Sequence, residues 1–215
     1  MVVAAMVLAG CGQPATTSSA ATAVQTSGQG AMPWPTDQLA PLLPGRYAIS
    51  PPFDLAISLD VPQGWHTLHL HGEFTDIGWF GASLAEGVPE RIIAFGHPTT
   101  VRGQDDVPAA GLTADEVADL YRDRADLEAG ETHAFRLDDR DGLWLDVLAP
   151  NFDTRLFSGL GSDGLGIGPD KAVRVVIIPM ADGELLLVTV HADPDDLAAT
   201  WEGALPILLS VDLSA

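Results

Sequence analysis

Six histidines occur in the 215-residue chain, and three of them crowd one stretch, His66-x-x-His69-x-His71, with Glu73 two residues beyond. On an extended strand, residues two apart point to the same side, roughly 6.6 Å apart along the chain. His69 and His71 would then offer two imidazoles to one ion, with Glu73 as a third ligand and His66 close by. Imidazole and carboxylate donors suit zinc or copper, and a metal held there would serve either simple metal binding or a metal-assisted hydrolase. A plainer reading is preferred. Thr67, His69, His71, Glu73 and Thr75 alternate with Leu68, Leu70, Gly72 and Phe74, as on any strand with one wet face. The ordinary pKa of histidine lies near neutrality, so the same face also reads as a pH-sensitive surface.

Other chemistry finds little support. Gly81-Ala82-Ser83-Leu84-Ala85 lacks the second glycine of a nucleophile elbow. The glycine-dense run from Gly159 to Gly168 has no Gly-Lys-Ser/Thr ending and reads as a surface loop. Acidic runs at Asp105-Asp106, Asp138-Asp139-Arg140-Asp141 and Asp193 to Asp196 lack the spacing of a calcium loop. Trp79-Phe80, flanked by Gly78 and Gly81, is the aromatic pair expected at the surface, where it would stack on a sugar or an apolar ligand. No catalytic residue is expected, and no cofactor beyond the zinc or copper alternative.

Composition narrows the partners. Ten Lys+Arg against 30 Asp+Glu give a formal charge of −20, which excludes a nucleic-acid partner and a polybasic grip on anionic lipid. A single cysteine excludes an internal disulfide framework and any cysteine-cluster metal site.

The elements that must position these residues are readable in outline. Period-two alternation predicts strands over Phe53–Asp60 and Thr67–Thr75, with more at Arg91–Phe95, Thr132–Leu137, Leu143–Leu148, Val173–Pro179 and Glu184–His191. Thr113-x-x-Glu116 is a capping box that starts a helix running toward Gly130. Asp193-Pro194 starts another, which Pro206 should break or kink. Asp141-Gly142 and Asp182-Gly183 each sit between apolar runs and predict hairpins, hence antiparallel pairing. Antiparallel strands with two separate helices give an α+β class in a single domain.

Ahead of the domain, Val2–Ala9 is an apolar run too short to span a bilayer, and it leads into Leu8-Ala9-Gly10-Cys11. That run resembles the lipobox of bacterial lipoproteins. The resemblance implies cleavage before Cys11, a diacylglycerol on its sulfur, and anchoring to the cell membrane on the extracytoplasmic face. The lipobox pattern has a basic residue before the apolar run, where this sequence has Met1 alone, so either the true start codon is expected upstream or the sequence is truncated. Uncharged Ser/Thr/Ala/Gln/Gly sequence follows, too poor in apolar residues to offset chain entropy. The expected organisation is a signal peptide over 1–10, a flexible tether over 11–43 with a span of roughly 30 Å, and a domain over 44–215.

Within that domain, a strand, Pro62-Gln63-Gly64-Trp65, a second strand, a mid-chain helix, late hairpins and a final helix entering Ile207-Leu208-Leu209-Ser210-Val211 form one series. The series resembles PsbP-like domains, among them the LpqN-type lipoproteins of the actinobacterial envelope. This resemblance implies a curved, mainly antiparallel sheet flanked by two or more helices. It also implies a non-enzymatic binding or assembly module of the cell envelope, with a protein partner or an apolar ligand.

Overall fold

A computed structural model describes residues 30–49, 51–70, 74–80, 89–150, 154–159 and 162–213. Cys11 lies outside the described residues, with residues 11–29 of the expected tether, His71, Glu73 and Ser83.

A large antiparallel sheet forms the middle layer. Its strands are β4 (Trp65–Leu70), β5 (Phe74–Trp79), β6 (Arg91–Gly96), β10 (His133–Leu137), β11 (Arg140–Ala149), β14 (Lys171–Pro179) and β15 (Leu185–Ala192). They run in the order β10-β11-β14-β15-β6-β5-β4, and β9 (Glu128–Ala129) also pairs with β11. Both faces are covered, which is why β14 and β15 read as nearly continuous apolar runs. Val176, Ile178, Leu186, Val188 and Val190 belong to one core. Val173, Val175, Ile177, Leu185 and Leu187 belong to the other.

The first core is closed by helix α2 (Leu197–Leu208) and by a three-stranded sheet of β1 (Met32–Pro33), β2 (Gly45–Ile49) and β3 (Ile57–Val61). The second is closed by helix α1 (Ala114–Arg122) and by a sheet ordered β13-β12-β7-β8, from Ser162–Ile167, Thr154–Gly159, Thr100–Arg102 and Asp106–Pro108. The expected α+β class, a sheet flanked by two or more helices, is corrected here. The described residues are mostly β, with fifteen strands and only two short helices, of 9 and 12 residues. Small sheets do much of the covering that helices were expected to do. The glycine-dense segment read as a loop supplies one of them, its hairpin from β12 to β13 carrying register shifts.

Local signals explain the helix ends. Thr113 Oγ1 accepts from the Glu116 amide at 3.2 Å, and the Glu116 carboxylate accepts from the Thr113 amide at 2.8 Å, so the capping box forms. The helix stops at Arg122, well before Gly130, and Arg124 turns its guanidinium inward instead. Pro194–Asp196 forms a single 3-10 turn ahead of α2, and Pro206 sits in the last turn of α2 without ending it.

Two expected boundaries also move. The hairpin between β10 and β11 turns at Asp138-Asp139, both with positive φ (45° and 59°), and not at Asp141-Gly142. Two left-handed residues are what a type I′ two-residue hairpin loop requires. Gly142 instead lies in β11, where a Cβ would come 2.3 Å from the Ile177 carbonyl oxygen. Packing also begins earlier than residue 44. β1 pairs with β2, and Trp34 and Leu42 are 5% and 3% exposed within the first core. Residues 39–42 hydrogen-bond along the outer edge of β4, through Leu39 N to Thr67 O and Leu42 N to Trp65 O, each 2.8 Å.

Candidate functional site

The histidine stretch is a hairpin and not one long strand: β4 ends at Leu70 and β5 begins at Phe74. A bulge between Thr67 and His69 changes which residues share a face. His66 pairs with Gly78 and His69 with Asp76, so the bulge turns both imidazoles to the face that carries Asp76. The His69 amide donates to Asp76 Oδ1 at 2.7 Å, and His69 Nδ1 stands 3.1 and 3.2 Å from the two carboxylate oxygens. The hydrogen bond to Asp76 raises the His69 pKa above its ordinary value, against a smaller lowering from burial. His66 packs edge-on against Phe80, 5.3 Å between ring centroids, and its Nδ1 is buried without a hydrogen-bond partner. Among the described residues, no three His, Cys, Asp or Glu converge as a metal site would need.

The expected aromatic pair is split by the end of β5. Phe80, expected at the surface, is corrected to a buried residue at 1% exposure, because it follows Gly78 by two and its ring meets His66, the partner of Gly78. Trp79 is half-buried, with the Arg91 guanidinium 4.8 Å from its ring centroid.

Asp76 leads to the feature that sequence reasoning missed. On its face of the sheet, register places Asp76, Ala94 and Thr189 in one cross-strand row, and Gly78, Ile92 and His191 in the next. The preceding row, Phe74, Gly96 and Leu187, is core, and the Phe157 ring packs directly on Gly96. Beyond it the apolar layer ends and the face turns polar. Above these two rows lies a pocket of about 620 Å³. Asp76, Ile92 and His191 form its floor; Leu165 and Gly166 of β13 stand on one side, Pro89 and Glu90 on another, and Lys171, Asp193 and Asp196 at the end of the sheet. Gly78 is covered by Pro89 and Leu68, which leave no room for a Cβ there.

Charge in the pocket is uneven. Asp76 is 4% exposed, and Lys171, the one lysine of the chain, donates to Asp193. His191 Nε2 lies 2.8 Å from Thr189 Oγ1, and burial pushes the imidazole pKa down to about 4, so the ring is neutral near pH 7. Thr189 itself is fully buried and cannot present its hydroxyl as a nucleophile to a molecule in the pocket. The arrangement is a cavity with a polar floor. The available sequence signal was the intrusion of Thr189 and His191 at alternate positions of the apolar run Leu185–Ala192.

No family model matches the sequence, and no curated protein matches it. Among solved structures the chain is similar to cyanobacterial PsbP (CyanoP) from Synechocystis sp. PCC 6803, with a TM-score of 0.45 and 11% identity over 80% of this chain and 94% of that one. It is also similar to the Saccharomyces cerevisiae Ran-binding protein Mog1p, with a TM-score of 0.44 and 10% identity over 80% of this chain and 96% of that one. Neither likeness assigns a family or an activity.

Proposed function

We propose that this chain is a non-enzymatic binding module of the cell envelope, held at the extracytoplasmic face of the membrane by a lipid on Cys11. The observation that carries the binding role is the pocket over Asp76, Ile92 and His191, where the sheet exchanges a packed apolar face for a polar floor. Pockets with an apolar wall and a few convergent polar groups are the usual form of small-molecule sites. Among the described residues no helix is long and apolar enough to cross a membrane. Attachment is assigned to acyl chains on Cys11, as the resemblance to a lipobox implies. Membrane fractionation tests the anchor. The intact chain should sediment with membranes, and Cys11→Ala should leave an unprocessed or soluble form; unchanged fractionation with a free thiol refutes it.

A metal-binding role is the second reading, and two observations favour it. Asp76 engages His69 through Nδ1, the place a carboxylate usually takes behind a ligating histidine. The buried Nδ1 of His66 has no partner. Zinc or copper bound there would raise the unfolding midpoint of the intact chain, and His69→Ala would abolish the rise.

A further inference from the structure

The floor of the pocket has a chemical preference of its own. Four carboxylates, from Asp76, Glu90, Asp193 and Asp196, are among the described residues that line it, and the ammonium of Lys171 beside them is bound to Asp193. Among them Asp76 is the most telling, because a carboxylate as buried as this is costly unless cationic or hydrogen-bonding partners surround it. Its partner is His69, an imidazole that is itself 48% exposed at its side chain and loses its charge as pH rises.

Steric detail narrows the class. Asp76 Oδ1 already accepts from the His69 amide and stands 3.1 Å from its ring. A planar guanidinium fork, which seeks both oxygens, would compete with that arrangement, whereas a compact ammonium needs one oxygen. Asp76 itself lines the cavity, where a head group of that size can reach it. His191 is neutral there and adds no repulsion. Ile92 and Leu165 supply apolar contact for a few methylene groups. A chain of net charge −20 also enriches cations around its clefts.

We infer that the pocket takes a small organic cation, a primary amine on a short apolar body, with its ammonium seated against Asp76. This rests on the pocket being a ligand site, as proposed above.

The test is an amide NMR titration of the full chain with 1,5-diaminopentane, with 1,5-pentanediol as a neutral match in shape, and with calcium ion. The expected result is saturable shifts at the amides of Asp76, Ile92 and His191 with the diamine alone. Asp76→Asn should weaken the diamine at least tenfold. Asp196→Asn, at the exposed rim, should weaken it less and guards against a folding defect in the first variant. Equal or stronger response to the diol overturns the cation inference and leaves the pocket reading standing. Larger shifts with calcium at the same amides overturn it in favour of a metal ion. Diamine shifts scattered over the acidic surface, unsaturable and indifferent to Asp76→Asn, also overturn it. No response at these amides to any of the three probes defeats both the inference and the pocket reading.

Discussion

Phe157 rests on Gly96 so closely that a Cβ at Gly96 would lie 2.2 Å from the ring's Cζ. This contact marks the border on the sheet face between the packed core and the pocket. Phe157 is fully buried, and its β12 strand closes the apolar layer over the Phe74, Gly96 and Leu187 row. Gly96→Ala forces the ring off its seat, so a loss of about 1–3 kcal/mol is expected, as for other overpacked cores. Urea unfolding measures it, and Phe157→Leu in the same chain should recover part of the loss. A Gly96→Ala variant as stable as the parent would show that the ring is free to shift.

The amino-terminal edge of the domain gives a second prediction. Trp34 lies edge-on to Tyr47, with ring centroids 5.9 Å apart, and its amide donates to Ala48 O at 3.1 Å. Deleting residues 1–29 should leave the unfolding midpoint nearly unchanged. Deleting through residue 43 removes Trp34 and Leu42 from the core and strips the hydrogen bonds from the edge of β4. Trp34→Ala alone should cost about 3–5 kcal/mol, a fall in midpoint on the order of 10 °C for a chain of this size. Differential scanning calorimetry on the two truncations decides where the folded unit begins.

These positions also show what kind of information a sequence carries. The capping box at Thr113 and Glu116 and the hairpin at Asp182-Gly183 were readable because each depends on residues a few positions apart. Asp141-Gly142 misled because a turn signal and a packing requirement can ask for the same residue. Gly142 answers to the Ile177 carbonyl on the neighbouring strand, not to a turn. The bulge after Thr67, which sets the direction of His69, leaves no mark in the alternation around it. Met32-Pro33-Trp34-Pro35 carries too few apolar residues to show a period, yet its one tryptophan is core. The pocket was least accessible of all. Asp76, Ala94 and Thr189 come from three strands, and only register brings them into one row.

Arg124 supplies a third prediction. Its guanidinium is bidentate to Asp126, at 2.9 and 2.7 Å, and also donates to Thr154 Oγ1 and to the carbonyls of Arg102 and Arg155. Its side chain is 5% exposed while that of Asp126 is 41% exposed, so the value of the cluster lies mainly in the part-buried carbonyls and the buried Thr154 hydroxyl. Arg124→Ala leaves those acceptors without a donor and should cost about 2–4 kcal/mol. Arg124→Lys keeps the charge but loses the planar fork, so it should recover less than half. Denaturant midpoints for the two variants check this ordering, and a lysine variant equal to the parent would contradict it.

His191 in the pocket and His69 bound to Asp76 should push stability in opposite directions with pH. The hydrogen bond to Asp76 raises His69 above its ordinary 6.5, so the folded chain binds that proton more tightly than the unfolded one. Its stabilisation is fully present below about pH 6.5 and is lost as pH rises through the raised value. With the His69 side chain 48% exposed, solvent screens the pair, and under about 1 kcal/mol is expected from it. His191 behaves inversely. Burial lowers it from 6.5 to about 4, so the unfolded chain binds its proton more readily. The corresponding stability is present above pH 6.5 and is lost as pH falls toward 4, by an amount on the order of 1 kcal/mol or more. Urea midpoints taken from pH 4 to pH 9 should separate the two. His191→Gln should flatten the acid limb and leave the alkaline limb in place. Asp76→Asn should remove the alkaline decline and leave the acid limb in place. An acid limb unchanged by His191→Gln would mean that the His191 ring is open to water in the pocket and titrates as an ordinary imidazole.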